Sequence, residues 1–83
     1  MRRYAASALG RIGPAAKEAV PVLVLALKND KDKLVREYAA YALGGIGPAA
    51  KEAVTALTDA LTDEDANVHD AAKYALEKIK AEK

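Results

Sequence analysis

The sequence predicts an all-α protein, a short α-solenoid of two helical pairs followed by a C-terminal capping helix, with five helices in total. The first observation behind this prediction is an internal repeat. Residues 4–20 and residues 38–54 are identical at fifteen of seventeen positions, at an offset of 34 residues. A period between about 20 and 50 residues is typical of stacked repeats. The second observation is that apolar residues recur every three or four positions within each copy, which indicates amphipathic helices.

The composition limits the classes of function that the chain can have. Its 83 residues make one small domain, and the absence of cysteine excludes disulfides and thiolate metal sites. This composition suits a reducing compartment, so we expect a cytoplasmic protein. The net charge of +1, with both signs interspersed, offers no broad surface for nucleic acid or an anionic membrane. No apolar run approaches the ~20 residues of a membrane span.

Gly-Pro dipeptides divide each copy of the repeat into a pair of helices. They are Gly13-Pro14 and Gly47-Pro48. Glycine adopts the left-handed conformation past a helix end, and proline suits the first turn of the next helix. The predicted helices are residues 2–11, 14–28, 33–44, 48–62 and about 66–81. The single domain, residues 1–83, divides into a first repeat at about 1–31, a second at about 32–64 and the capping helix at about 65–83.

Local signals refine these boundaries. Asp32 and Asp65 each lie three residues before a valine. They fit the N-cap position, where a carboxylate accepts hydrogen bonds from the free amides of the first turn. Pro21 interrupts the helix predicted over residues 14–28, so we expect a short first turn at residues 14–18 and then a kink or a restart near Ala19. Thr55 occupies the equivalent place in the second copy, and a kink is not required there.

The two ends of the predicted stack differ. Glu77 and Lys78 replace the glycine pair at residues 44–45, and the more polar final helix is what a terminal cap needs. At the other end Met1 aligns with Val35, so the first copy starts inside a repeat, without its N-cap. We expect an uncovered N-terminal edge, which either belongs to a longer array or is covered by a partner.

The repeat motif resembles that of a known family. The second copy carries the pattern D-x-x-V-R-x-x-A-x-x-A-L-G-x-I-G-P. Its residues are Asp32, Val35, Arg36, Ala39, Ala42, Leu43, Gly44, Ile46, Gly47, Pro48, Ala53 and Val54. They resemble HEAT repeats, specifically the type found in phycobilisome lyases, and the resemblance covers essentially the whole chain. It implies an α-solenoid that acts mostly as a protein-binding scaffold, while some members assist bilin attachment.

Val22 and Leu25 are the first candidate protein-binding residues. On a helical wheel they fall opposite the apolar stripe of their helix, which is therefore apolar all round, whereas the second copy has Ala56 and Asp59 at the equivalent positions. A helix that is apolar all round is normally buried. An exposed apolar patch marks an interaction site, and the alternative is two scattered surface residues.

Tyr41 and Tyr74 are the second candidate pair. They are equivalent positions of successive repeats, so stacking would place them in one row. Tyrosine suits interfaces because it combines apolar area with a hydroxyl group. The alternative is packing between helices, which we favour for the other equivalent pair, Tyr4 and Tyr38.

The sequence predicts no catalytic, metal or cofactor site. His69-Asp70 supplies one histidine and one adjacent carboxylate, too few for the three or four ligands of a metal. Ser7 has no histidine near it in sequence, so no nucleophile and base are visible. The glycines follow helices rather than strands, which excludes a phosphate-binding loop.

We therefore expect a non-catalytic protein-binding scaffold without a cofactor. Its N-terminal edge and the apolar helix of residues 14–28 favour self-association, for example as a homodimer. Two alternatives stay open at this point. One is an engineered or excised structural module that has no ligand of its own, and the other is an accessory factor of the bilin-lyase kind.

Overall fold

The computed structural model describes residue 11 and residues 13–80, and every regular element in this part of the chain is helical. Two 3₁₀ segments, Gly13–Ala19 and Gly47–Ala53, each lead directly into an α-helix. The α-helices are α1 (Val20–Asn29), α2 (Lys33–Ile46), α3 (Val54–Ala60) and α4 (Ala66–Lys80). The all-α prediction is confirmed. The helix predicted over residues 2–11 lies outside the described residues except for Arg11, so the count of five helices is not established.

The α-helices form two layers. Helices α2 and α4 pack against each other in one layer, and α1 and α3, each with its preceding 3₁₀ segment, make the other. Alanine dominates the core between them, which lets the helix backbones approach closely. The largest fully buried side chains are Leu23, Leu43, Ile46, Leu57, Val20 and Val68.

Both predicted N-caps are confirmed. The Asp32 carboxylate accepts a hydrogen bond of 2.8 Å from the backbone N–H of Leu34, at the start of α2. The Asp65 carboxylate accepts bonds of 2.9 Å from Asn67 and 3.1 Å from Val68, at the start of α4. Each cap satisfies amides that have no partner within the helix, and such a cap contributes about 1 kcal/mol.

The restart near Ala19 is confirmed, because α1 begins at Val20, but Pro21 is not the cause of the bend. The same bend occurs in the second copy, where Thr55 replaces the proline. The backbone leaves the helical region at Ala16 (φ −94°, ψ 16°) and, equivalently, at Ala50 (φ −98°, ψ 22°). Both bends lie in the shared sequence GPAAKEA, so the bend belongs to the repeat itself.

The continuous helix predicted over residues 48–62 is therefore wrong in extent. It consists of a 3₁₀ segment and the short helix α3, which ends at Ala60. The sequence spacing predicts a core stripe of Val54, Leu57, Thr58 and Leu61 for this helix, but Thr58 is exposed and donates its hydroxyl to the Val54 carbonyl at 2.8 Å. Ala56 is buried in its place, because this side of α3 lies against α1.

Gly44 sets the close contact between α2 and α4. A Cβ atom added there would lie 2.8 Å from Tyr74 Cε2 and 2.9 Å from the Cα of Ala75. Ordinary carbon–carbon contacts are about 3.5–4.0 Å, so only glycine fits without a shift of one helix. Gly47 has a different role, since its φ of 79° ends α2 in the left-handed region.

Candidate protein-binding surface

The four residues predicted to bind protein are the large apolar and aromatic side chains that the described structure leaves exposed. The exposed fraction is 53% for Val22, 60% for Leu25, 40% for Tyr41 and 38% for Tyr74. They fall into two patches. Val22 and Leu25 lie on α1, whereas Tyr41 and Tyr74 lie on α2 and α4, in the other layer.

The patch on α1 is an uncharged surface, which we call the α1 face and define as Val22, Leu25, Ala26 and Asn29. Together with Asp30 at its end, these residues line a shallow depression of about 380 Å³. The core side of α1 carries Val20, Leu23 and Leu27, and Ala26, at the border between the two surfaces, is also buried. The all-round apolar character of this helix therefore comes from two separate surfaces, of which only one is covered.

Helix α3 carries the repeat equivalent of the α1 face. An offset of 34 residues gives what we call the α3 face, namely Ala56, Asp59, Ala60 and Asp63. These residues line a groove of about 230 Å³ between α3 and α1, opposite Leu27 and Lys28. The α3 face is therefore covered by the preceding helix of the same layer, while its counterpart on α1 faces outward. Sequence reasoning missed this relation, although the repeat offset could have indicated it.

Tyr41 and Tyr74 form the row that the repeat predicts. Their ring centroids are 5.2 Å apart and the rings are tilted by 56°. The ammonium group of Lys78 lies 5.7 Å from the centroid of the Tyr74 ring. The contact between the two rings joins α2 to α4, whereas Lys78 and Tyr74 both lie on α4, and part of each ring stays in solvent. Tyr38 packs against the core as predicted, and Tyr4 lies outside the described residues.

Arg36 joins the loop after α1 to the loop after α3, an arrangement that sequence reasoning missed. Its guanidinium donates to the Asp63 carboxylate, at 3.0 Å from Nε and 3.4 Å from Nη2. Nη1 donates to the carbonyl oxygens of Asp30 at 2.9 Å and Lys31 at 3.3 Å. This network links the first repeat to the second through one side chain.

The environment of Asp63 changes its acidity. Burial alone would raise the pKa of this carboxyl. The hydrogen bond from the backbone of Asp65 and the hydrogen bonds and positive charge of Arg36 act in the opposite direction. They prevail, so the pKa of Asp63 lies below its usual value. The ion pair is therefore maintained at neutral pH.

The remaining candidate sites show little organisation in the part of the chain that the structure describes. His69 Nδ1 lies 3.2 Å from Asp70 Oδ1. Within the described residues no group of three or more histidine, aspartate or glutamate side chains is placed to hold a metal ion. None of the described helices has both the length and the apolar character that a membrane crossing requires.

Residues 1–77 match the family model described as HEAT repeats. No match was found among curated proteins. The family match spans most of the chain and agrees with the 34-residue period, the Gly-Pro breaks and the two packed layers.

Proposed function

Because the chain belongs to the HEAT-repeat family, whose members are generally protein-binding scaffolds, we propose that it is a non-catalytic scaffold that binds protein through the α1 face. The observation that carries the proposal is the exposure of Val22 and Leu25, at 53% and 60%. The proposal includes the division into two repeats and a capping helix, with five helices in total. It also includes the phycobilisome-lyase type of repeat, which rests on the motif, and a cytoplasmic location, which rests on the absence of cysteine.

The α1 face offers a partner a useful amount of apolar burial. Fully burying a valine or leucine side chain is worth about 1.5–3 kcal/mol relative to leaving it exposed. Val22 and Leu25 are each roughly half exposed, so a partner that covers them would provide about half of this burial free energy for each. Covering both therefore contributes about 1.5–3 kcal/mol, which corresponds to roughly a tenfold to hundredfold change in dissociation constant.

The partner that we propose is a second copy of the chain. The four residues of the α1 face are uncharged, Asp30 adds one carboxylate at the end of the same depression, and the net charge of +1 produces little overall repulsion between copies. A dimer or larger assembly would also compensate for the small core of an 83-residue chain. Tyr41 and Tyr74 provide a second candidate surface in the other layer, available to a different protein at the same time.

The substitution Leu25→Asp tests the proposal. Light scattering over about a hundredfold range of concentration should show the mass of the wild type rising, as mass action requires. The variant should remain close to the mass of one chain, because a charge would have to be buried in the contact. Asn67→Asp is the matched control, since it adds the same charge at an exposed residue of α4. It should assemble like the wild type.

Helical content and melting temperature of Leu25→Asp must stay near those of the wild type, because Leu25 is exposed. Leu25→Gln provides a second, uncharged version of the same change. A wild type that keeps the mass of one chain, or a Leu25→Asp protein that assembles as well as the wild type, would contradict self-association through this face.

A further inference from the structure

We propose that two copies of the chain pair symmetrically, with their α1 helices antiparallel and the α1 face of each copy against the α1 face of the other. This inference rests on the proposed function and specifies how the two copies meet. The two-fold axis passes between Leu25 and Ala26. Leu25 of one copy therefore lies against Ala26 of the other, and Val22 lies against Asn29.

The first support is the distribution of side-chain size along the α1 face. Its N-terminal half carries the large exposed residues Val22 and Leu25, whereas its C-terminal half carries Ala26, which is small and buried, and the polar Asn29. Antiparallel pairing places the large half of one copy over the small half of the other along the whole face. Parallel pairing would place Leu25 over Leu25 and leave a gap between the two Ala26 residues, which loses packing contacts.

The second support is the spacing of the residues on the α1 face. Val22, Leu25 and Asn29 are three and four positions apart, which is the spacing of the seam along which two helices pack in a coiled coil. All three line the same shallow depression, while Leu23 and Leu27 of the same helix are buried in the core. The α1 face is therefore a short seam of about two helical turns that is free to receive a second helix.

The third support is the position of Asp30 at the C-terminal end of the depression. Parallel pairing would place the two Asp30 carboxylates side by side, where like charges repel. In the antiparallel pairing they are nine positions apart, about 13.5 Å along the helix. Each then lies level with Pro21, in the first turn of the other α1 helix. A helix carries a partial positive charge at this end, which favours a carboxylate.

The proposed contact limits the size of the assembly. Both copies use the same surface, so the contact is isologous and closes at two chains. The edge of a single helix is smaller than the roughly 1,200 Å² of a stable interface, so the dimer should be weak. In light scattering, the mass of the wild type should rise with concentration and level off at the mass of two chains.

Cysteine cross-linking tests the orientation, because the chain contains no cysteine of its own. In the proposed pairing the two Val22 residues are seven positions apart, about 10.5 Å along the helix, and so are the two Asn29 residues. This distance is beyond the reach of a disulfide, whereas Val22 of one copy lies level with Asn29 of the other. In an oxidising glutathione buffer, an equimolar mixture of Val22→Cys and Asn29→Cys should form roughly tenfold more linked dimer than either variant alone.

Two further arms complete the experiment. Leu25 lies almost on the two-fold axis, so Leu25→Cys should link to itself in either orientation and reports contact through the α1 face. A mixture of Val22→Cys with Asn67→Cys measures linkage by random collision, since Asn67 is exposed on α4. This mixture should form no more dimer than the single variants. Every variant should keep the helical content of the wild type, because all four positions are exposed.

The outcomes distinguish this inference from the proposed function. If Val22→Cys and Asn29→Cys each link to themselves, the helices pair in parallel. That result overturns the antiparallel contact and leaves the proposed function intact. The same conclusion follows if Leu25→Cys links to itself while the mixture of Val22→Cys and Asn29→Cys forms no more dimer than the collision control. If neither Leu25→Cys nor this mixture links, both the inference and the proposed function are overturned.

Discussion

Gly44 and Gly45 are neighbours in α2, but alanine should stabilise the protein at Gly45 and should not do so at Gly44. Gly44 is buried against α4, whereas Gly45 is exposed. Alanine is favoured over glycine inside a helix by about 0.5–1 kcal/mol. Both substitutions therefore increase the free energy of unfolding by this amount through helix propensity. At Gly44 the new methyl group also meets α4.

The size of the penalty at Gly44 follows from which atoms the methyl group would contact. Tyr74 Cε2, at 2.8 Å, belongs to a partly exposed ring that can turn away. The Cα of Ala75, at 2.9 Å, is backbone, so α4 itself has to move by several tenths of an ångström. Overpacking of this kind costs about 1–3 kcal/mol. Gly44→Ala should therefore lose up to about 2.5 kcal/mol, while Gly45→Ala should gain about 0.5–1 kcal/mol.

Thermal unfolding followed by circular dichroism measures the difference between the two variants. Helix propensity cancels in this difference, which leaves the packing cost of about 1–3 kcal/mol. For a domain of this size each kcal/mol shifts the melting temperature by roughly 4–8 °C. Gly45→Ala should melt above the wild type and Gly44→Ala below it or near it. Equal melting temperatures for the two variants would refute the idea that α2 and α4 touch at Gly44.

Two further predictions concern acidity and the helix bend. The pKa of Asp63 is lower in the folded protein than in the unfolded chain, so the ionised carboxylate stabilises the fold. This stabilisation is fully present above the unfolded-state pKa of about 3.9. It is lost as the pH falls through the lower folded-state pKa. Urea unfolding between neutral and acidic pH should show this loss, and Asp63→Asn should remove that part of the pH dependence. Pro21→Ala should lower the unfolding free energy by about 0.4–1 kcal/mol through a more flexible unfolded chain. Its helical content should stay constant, and a clear rise would mean that the proline does cause the bend.

The features that could be predicted from the sequence are those that depend on near neighbours. Asp32 and Asp65 accept hydrogen bonds from residues two or three positions away, so a short motif is sufficient to identify them as caps. The restart of the helix near Ala19 was also predicted, but from Pro21 alone, and the backbone leaves the helical region three residues earlier, at Ala16. The recurrence of this bend at Ala50, where Thr55 stands in place of the proline, indicates that the sequence GPAAKEA, which both copies share, produces the bend.

The contacts that sequence reasoning missed join residues far apart in the chain. Arg36 and Asp63 are 27 positions apart, and the repeat motif that includes Arg36 does not indicate which residue it pairs with. The pairing depends on how the second repeat is placed against the first. That placement depends on a close approach of helices that small residues such as Gly44 allow.

Val22 and Ala56 show why the candidate surface could be predicted only in part. They are equivalent in the repeat, yet Val22 is 53% exposed and Ala56 is 7% exposed. The difference comes from their places in the stack, because α1 covers this side of α3. The small Ala56 fits between two packed helices, whereas the larger Val22 and Leu25 extend from the side that is not covered. Any protein that docks at this position of the stack gains more apolar burial from the α1 face than the internal contact gains from the α3 face.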